Sequence, residues 1–235
     1  MPRSRTGRCS GTWGGSSGST IGTKCGRNST IVRFKELKLF TGVRSLSTDA
    51  FRDCSGLQIV DCRNCTSIAV SFRYCSNLEE VNLPRITTLG TNSTGAASLP
   101  LYSCNKLKKL ILPKIQNLRA YDNARNMHLL MMDLGEELAS TYGYDYKCYG
   151  VYNDTRVVIR TAVPITLPSG NFLAACQHIY VPADNLQDYK TAWSSLASYL
   201  FAIGGSEWVE DFGSTSEFAN LTTEEYESTY GLFES

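Results

Sequence analysis

The sequence has only two histidines and no long uninterrupted apolar run, and each shortage excludes a class of function. The longest stretch without a charged residue, 161–183, contains three prolines and several polar side chains. A helix that spans a bilayer needs about 20 predominantly apolar residues, so no membrane insertion is expected. His128 and His178 lie next to predicted turns or strand ends, which favours surface or turn roles over that of a general base.

The apolar core of an export signal is also missing. Arg3, Arg5 and Arg8 supply positive charge, but Gly, Ser and Thr follow them. The chain as given is therefore expected to have no signal peptide. That is compatible with a product that works without export, a fragment of a larger protein, or a virion component released by lysis. The expected location is the cell surface, the extracellular space or a virion.

The net charge is small, but the two ends of the chain are electrically opposite. Residues 1–44 contain nine Lys or Arg against one acidic residue, and residues 205–235 contain eight acidic residues and no basic one. Opposite ends of neighbouring copies can attract each other, which predicts head-to-tail self-association. Nucleic acid is not an expected partner.

What the sequence does have is a repeat. Cys54, Cys75, Cys104 and Asn126 are equivalent anchors, each followed three residues later by a leucine and then by further apolar residues. The positions three, six and eight residues after the anchors hold, in that order, Leu57, Leu78, Leu107 and Leu129; Val60, Val81, Leu110 and Met132; and Cys62, Leu83, Leu112 and Leu134. Pro84 and Pro113 occupy the ninth position, where Arg63 and Gly135 are departures.

The repeat length is typical of leucine-rich repeats, with anchor spacings of 21, 29 and 22 residues. The longer interval contains the Gly-, Ser- and Thr-rich stretch 90–100, which predicts a loop. The pattern Leu-x-x-Val-x-Leu places two apolar side chains on one face of a short strand, which suits parallel strands stacked on one another. A single repeat cannot bury its apolar face, so both ends of the stack need caps.

These motifs resemble the BspA-like leucine-rich repeats of gut bacteria and their phages. The similar runs are Cys54-Ser-Gly-Leu57, Cys75-Ser-Asn-Leu78 with Pro84, Cys104-Asn-Lys-Leu107 with Pro113, and Ile179-Tyr-Val-Pro182 before a helix. The resemblance spans about residues 30–203. It implies an α/β repeat fold, a short irregular leucine-rich-repeat solenoid with stacked parallel strands and a C-terminal helical cap. It also implies surface binding without a shared catalytic site.

The chain departs from the family pattern in several places, which concerns the regularity of the repeats more than the architecture. Cys62 and Cys65 replace Leu and Ile, Ser71-Phe72 replaces Ala-Phe, and the fourth anchor is Asn126. The repeat positions are expected to face inward, and the total of nine cysteines is odd. Buried free thiols are therefore predicted at Cys54, Cys62, Cys65, Cys75 and Cys104.

Four segments are predicted. Residues 1–28 form a flexible, basic Gly/Ser-rich arm, and residues 29–183 form the solenoid and its end strands. Residues 184–205 form a capping helix, with Asp184 as N-cap and Gln187 at capping-box spacing, and its apolar face covers the last repeat. Residues 206–235 form an acidic tail with a short helix.

Motifs for catalysis and metal binding are weak. Residues 14–18 match Gly-x-Ser-x-Gly but lie in low-complexity sequence without a preceding strand. Cys62 and Cys65 have Cys-x-x-Cys spacing but coincide with core positions, and no second Cys or His pair stands at a fitting distance. The sequence therefore predicts no catalytic residues, no metal site and no cofactor.

A cluster of tyrosines is the main candidate for binding. It consists of Tyr142, Tyr144, Tyr146, Tyr149 and Tyr152. If residues 142–146 are extended, three of the rings share one face. Tyrosine favours binding surfaces because it offers a large contact area at little cost in rotamer entropy. The alternative is an aromatic hairpin packed on the end of the repeats.

Two functions follow as hypotheses. The first is a non-enzymatic binding or adhesion module that recognises a glycan or protein at a cell or particle surface. The alternative is a structural virion component, a fibre or decoration subunit of a bacteriophage, which the opposite charges of the two ends favour.

Overall fold

The computed structural model of the protein describes residues 20–21, 27, 30–34, 37, 39–90, 100–120, 127–143, 150–168 and 171–208. Within these ranges the chain forms short strands and one α-helix. The strands are β1 Thr20–Ile21, β2 Arg33–Phe34, β3 Ser45–Leu46, β4 Ile59–Asp61, β5 Ser67–Ile68, β6 Glu80–Asn82, β7 Thr88–Leu89, β8 Lys109–Leu112, β9 Asn117–Ala120, β10 Met131–Leu134, β11 Ser140–Gly143, β12 Arg156–Ile159, β13 His178–Val181 and β14 Leu200–Ala202. The helix is α1, Leu186–Ala192.

The strands form three parallel sheets. The first sheet has the order β1-β3-β5-β7-β9-β11, the second β2-β4-β6 and the third β14-β13-β12-β10-β8. From β1 to β12, successive strands alternate between the first sheet and one of the other two. We call each passage of the chain through the first sheet and back a circuit. The coarse prediction of parallel-strand sheets with few helices is therefore confirmed.

The register of the sheets pairs the residues that the repeat made equivalent. Val60 of β4 is opposite Val81 of β6. Met132 of β10 is opposite Leu110 of β8. The inward positions of the frame are buried, as in Leu57, Leu78, Leu107 and Leu129. The fourth anchor, Asn126, lies outside the described residues, but the leucine that follows it occupies the expected place.

Aromatic residues fill the space between circuits. Phe51 and Phe72 are fully buried, and their rings stack with centroids 5.2 Å apart and an interplanar angle of 8°. Ser71, at the position that Ala50 occupies one circuit earlier, is also buried, and its hydroxyl donates to the carbonyl oxygen of Ser47 at 3.0 Å. The serine is tolerated because the buried hydroxyl has an acceptor in the preceding circuit.

The predicted buried thiols are confirmed. Cys54, Cys62, Cys65, Cys75 and Cys104 are all buried and free, and Cys176 joins them. The Sγ atom of Cys75 donates to the carbonyl oxygen of Phe51 at 3.0 Å, and that of Cys104 donates to Phe72 at 3.3 Å. Burial raises the pKa of both thiols. They are therefore protonated donors at neutral pH, which makes them structural rather than reactive.

The predicted helix over 184–205 is wrong in extent. Ala183–Asn185 is a 3₁₀ turn, α1 ends at Ala192, Ser194–Tyr199 is again 3₁₀, and the last residues form β14. Asp184 is not the N-cap: it lies inside the 3₁₀ turn, and the N-cap of α1 is Asn185, which makes no side-chain capping hydrogen bond. The helical periodicity does not decide the conformation here, because Leu200 and its neighbours pair with β13 and form the edge strand of the third sheet. The predicted apolar face is nevertheless buried, since Tyr189, Trp193 and Leu196 belong to the main core.

Polar contacts hold α1 on the last circuit. The indole Nε1 of Trp193 donates to the carbonyl oxygen of Ile165 at 2.9 Å, and the Tyr189 hydroxyl donates to the carbonyl oxygen of Thr161 at 3.0 Å. No helix among the described residues is long and apolar enough to cross a bilayer. The predicted arm, 1–28, and the tail, 206–235, lie almost wholly outside the described residues.

Candidate functional site

The structure describes the predicted tyrosine cluster only in part. Tyr142 lies in β11, where the backbone alone is described. Tyr144, Tyr146 and Tyr149 lie outside the described residues, so the shared face of the first three rings stays a prediction. Tyr152 is described, is partly buried, and lies in the turn that leads into β12.

Tyr152 is part of a cluster with His128 and Asp154, which we call the histidine–tyrosine surface. The rings of His128 and Tyr152 are tilted by 59° with centroids 4.9 Å apart. The Nε2 atom of His128 is 2.7 Å from the Oδ1 atom of Asp154, and the two side chains are 43% and 52% exposed. His128 is therefore a surface residue, as predicted, and its ring presents hydrogen-bonding capacity next to an aromatic face.

The turn under this surface is fixed by buried hydrogen bonds. The hydroxyl of Thr155 donates to the carbonyl oxygen of Leu129 at 2.7 Å and accepts from the backbone N–H of Tyr152 at 2.9 Å. The backbone N–H of Leu129 donates to the carbonyl oxygen of Gly150 at 3.0 Å. Tyr152 thus stands on a turn tied to the neighbouring circuit rather than on an unsupported loop.

A second exposed cluster was missed in the sequence. It lies on the turns before β4, β6 and β8, and we call it the arginine–tyrosine surface. It contains Asp49, Arg52, Asp53, Arg73, Tyr74 and Tyr102. The Tyr74 and Tyr102 rings meet edge to face with centroids 5.4 Å apart. The guanidinium carbons of Arg52 and Arg73 lie 5.8 and 5.7 Å from the centroid of the Tyr74 ring, within the range of a cation–π interaction.

Ion pairs order the arginines of this surface. Arg52 contacts Asp49 at 3.4 Å and Asp53 at 3.2 Å. Arg73 contacts Asp49 at 3.0 Å and is the least exposed of these side chains, at 13%. Asp53 also lies 3.8 Å from the exposed Arg27. The network therefore joins two carboxylates to three guanidinium groups, of which those of Arg52 and Arg73 are partly buried.

Tyr74 has a left-handed backbone, with φ of 65°. Asp53 and Ser103, which also immediately precede anchors, have φ of 57° and 60°. The turn before the anchor therefore requires a positive φ, for which Asp and Asn are well suited and a bulky side chain is not. The sequence does not reveal the sign of φ. It does show that Asp53, Tyr74 and Ser103 are equivalent positions directly before an anchor, and that Tyr74 alone among them has a bulky side chain.

Polar side chains on the outer side of the second and third sheets have structural partners. Asn82 of β6 is buried and donates through Nδ2 to the Oδ1 atom of Asp61 in β4 at 2.9 Å, and Arg63 also binds Asp61. Arg160 binds Asp133 of β10 at 2.7 Å. These pairs bridge neighbouring strands or tie a strand to the loop after it, and we assign them to the stability of the sheets.

Catalytic and metal-binding arrangements were not predicted, and Cys62 and Cys65 lie in the core, as expected. Among the residues that the structure describes, no group of three His, Cys, Asp or Glu side chains could hold a metal ion. Burial raises the pKa of Cys62 well above its ordinary value, which disfavours a thiolate ligand or nucleophile there.

The chain matches no family model, no curated protein and no solved structure. The inference of function therefore depends on the two surfaces and on the arrangement of the strands.

Proposed function

We propose that the chain is a non-enzymatic binding module, a short leucine-rich-repeat solenoid of the BspA-like kind that recognises a glycan or protein at a cell or particle surface. The solenoid is supported by the parallel register of equivalent repeat positions, such as Leu112 opposite Leu134, and by the alternation of successive strands between sheets. Parallel strands that follow one another at leucine-rich-repeat spacing are typical of that architecture.

The observation that best supports binding is the placement of the partly exposed Tyr152 on a turn anchored to buried structure. Tyr152 contacts the exposed His128 ring at 4.9 Å, and the hydroxyl of Thr155 ties its turn to Leu129. Tyrosine is enriched among the residues that dominate binding energy at interfaces. A side chain held in place before the ligand arrives loses less entropy on binding.

The test is a cell-surface and glycan-array binding assay with variants of the tyrosine cluster. Replacement of Tyr152 by Ser, alone and together with Tyr144→Ser and Tyr146→Ser, is expected to weaken binding at least about tenfold. The melting temperature should change by less than about 2 °C. Loss of folding instead would favour the alternative, in which the tyrosines form a hairpin packed on the repeats.

Tyr199→Ser is the matched control, because Tyr199 is also an exposed tyrosine, 36% accessible, but lies in the 3₁₀ segment after α1. It should bind as the unchanged chain does. Equal losses from Tyr152→Ser and Tyr199→Ser would show that binding does not depend on the predicted cluster.

A second candidate function is a structural virion component, a fibre or decoration subunit. The opposite charges of residues 1–44 and 205–235 support it, because they allow end-to-end assembly of identical copies. Salt-dependent self-association tests this candidate independently of ligand binding.

A further inference from the structure

We propose that the arginine–tyrosine surface is a saccharide-binding site, in which one sugar ring lies on Tyr74 and its hydroxyl groups bind the surrounding Asp and Arg side chains. The proposal rests on the proposed binding function and names a site and a ligand class for it. The site is separate from the tyrosine cluster described above, because it is formed by the turns that precede β4, β6 and β8.

The Tyr74 ring is held in one orientation before any ligand arrives. Its backbone is in a left-handed turn, and Tyr102 packs against it edge to face at 5.4 Å. The guanidinium carbons of Arg52 and Arg73 lie over the ring, 5.8 and 5.7 Å from its centroid, and help to fix its orientation. The residue remains 38% exposed, so the ring is fixed but still accessible.

A tyrosine at position 74 lowers the stability of the fold, because the backbone there has a positive φ. A bulky side chain at positive φ is a strained choice, and strain of this kind concentrates at functional sites. The equivalent residues Asp53 and Ser103 adopt the same turn with small polar side chains. The fold therefore needs the turn but not the ring, which points to a role for the ring outside folding.

The surroundings of the ring favour a saccharide over a protein partner. Asp49 and Asp53 form ion pairs with Arg52 and Arg73 next to it, and Asp is depleted at the core of protein interfaces. A sugar ring has an apolar C–H face that can lie on an aromatic ring and hydroxyl groups that need both donors and acceptors. Guanidinium N–H groups supply the donors and carboxylate oxygens supply the acceptors.

The charge balance of the surface favours a neutral sugar. Asp49 contacts Arg52 and Arg73, and Asp53 contacts Arg52 and, at 3.8 Å, Arg27. Arg27 is 79% exposed, so solvent and salt screen its charge, and the partly buried groups next to the ring are two positive and two negative. The affinity for a neutral saccharide should therefore change less than about twofold between about 50 and 500 mM sodium chloride.

The experiment measures binding of the full chain to a printed array of neutral and acidic mono- and oligosaccharides. Tyr74→Asn removes the ring and keeps a residue that tolerates the left-handed turn. It is expected to lose at least about tenfold in affinity for the saccharides that the unchanged chain binds. Tyr74→Phe retains the ring and should bind within about threefold of the unchanged chain, because the face rather than the hydroxyl makes the contact.

Ser103→Asn is the matched control, since it introduces the same residue at the equivalent left-handed position one circuit further along. It should bind the saccharides as the unchanged chain does, and all three variants should be compared by melting temperature. Equal binding by Tyr74→Asn, loss of binding by a folded Tyr74→Phe, or an affinity that falls steeply with salt would each overturn the proposal.

The outcomes also separate this site from the proposed function. A chain that binds cells or particles but no saccharide on the array overturns the saccharide site and leaves the binding function intact. A chain that binds neither overturns both. Saccharide binding that is lost with Tyr152→Ser and retained by Tyr74→Asn supports the binding function and overturns the assignment to this surface.

Discussion

Small hydrogen-bonding side chains join one circuit to the next. The thiol of Cys176 donates to the carbonyl oxygen of Thr155 at 3.2 Å, and the hydroxyl of Thr155 in turn donates to Leu129. Cys75 makes the same kind of contact with Phe51. A buried carbonyl oxygen without a donor is costly, so these positions need a side chain that is both small and able to donate.

The buried thiols should make stability fall at alkaline pH. Burial raises the pKa of the Cys176 thiol from its ordinary value of 9.0 to about 11. Between these pH values the unfolded chain loses this proton and the folded chain keeps it. The contribution is therefore complete below pH 9 and is lost as the pH rises towards 11, at about 1.4 kcal/mol per pH unit.

Urea unfolding at several pH values between 8 and 11 measures this slope. Cys176→Ser retains a donor for Thr155 but does not titrate in this range, so its free energy of unfolding should fall less steeply with pH. Identical slopes for the variant and the unchanged chain would show that Cys176 does not titrate differently in the two states.

Two leucines of the repeat should be important for stability. Leu107 and Leu110 are completely buried, and truncation of either to Ala should lower the free energy of unfolding by roughly 2–5 kcal/mol. His128→Ala and Glu79→Ala remove exposed ion pairs and should cost less than about 0.5 kcal/mol. Denaturant unfolding compares the four variants, and equal small effects at all four sites would contradict the repeat frame.

At the scale of the elements, Gly135 explains a departure in the repeat. It follows β10 at the position that Pro84 and Pro113 occupy in other circuits, and its N–H donates to the carbonyl oxygen of Leu112 at 3.1 Å. A Cβ atom on Gly135 would lie 1.8 Å from the carbonyl oxygen of Pro113. The strand end and the preceding circuit are therefore packed backbone to backbone at this point.

Gly135→Ala should be strongly destabilising. The clash is with backbone atoms, which cannot move without displacing the preceding circuit, so we expect a loss of about 3 kcal/mol or more. Gly204→Ala separates this effect from backbone strain, because Gly204 has φ of 75° but open space around it and should cost only about 1 kcal/mol. Thermal unfolding measures both, and similar values would contradict the packing argument.

The strands were predictable and the end of the helix was not. The spacing of Val60, Val81 and Leu110 located the strands because each repeat carries its own apolar pattern. Leu200 fitted a helical period equally well, and only its pairing with Ile179 makes it part of a strand. The left-handed φ of Tyr74 likewise depends on a turn that the packing of neighbouring circuits imposes. The arginine–tyrosine surface could therefore not be predicted from the sequence.

At the scale of the whole molecule, the charge asymmetry predicts association between copies. The basic segment 1–44 and the acidic segment 205–235 can pair head to tail. Sedimentation at micromolar concentration should show oligomers at low salt that dissociate at physiological salt, where the Debye length is about 8 Å. Truncation at residue 208 removes seven of the eight acidic residues of the tail and should abolish the association.

If the chain sediments as a monomer at every ionic strength, the head-to-tail hypothesis is wrong. The virion role then loses its main support. The acidic tail would then act only to keep copies apart, and the basic arm would be available to an anionic partner.

The parallel register has a consequence for how such a gene can change. Each strand of the first sheet bonds only to the strands of adjacent circuits, as β5 does to β3 and β7. The interval between Thr88 and Asn117, which are opposite each other, is longer than the others and still keeps the register. Duplication or deletion of a whole circuit should therefore change the length of the molecule without changing the packing of the remaining core. Insertions between β7 and β8 should change the surface and leave the core packing unchanged in the same way.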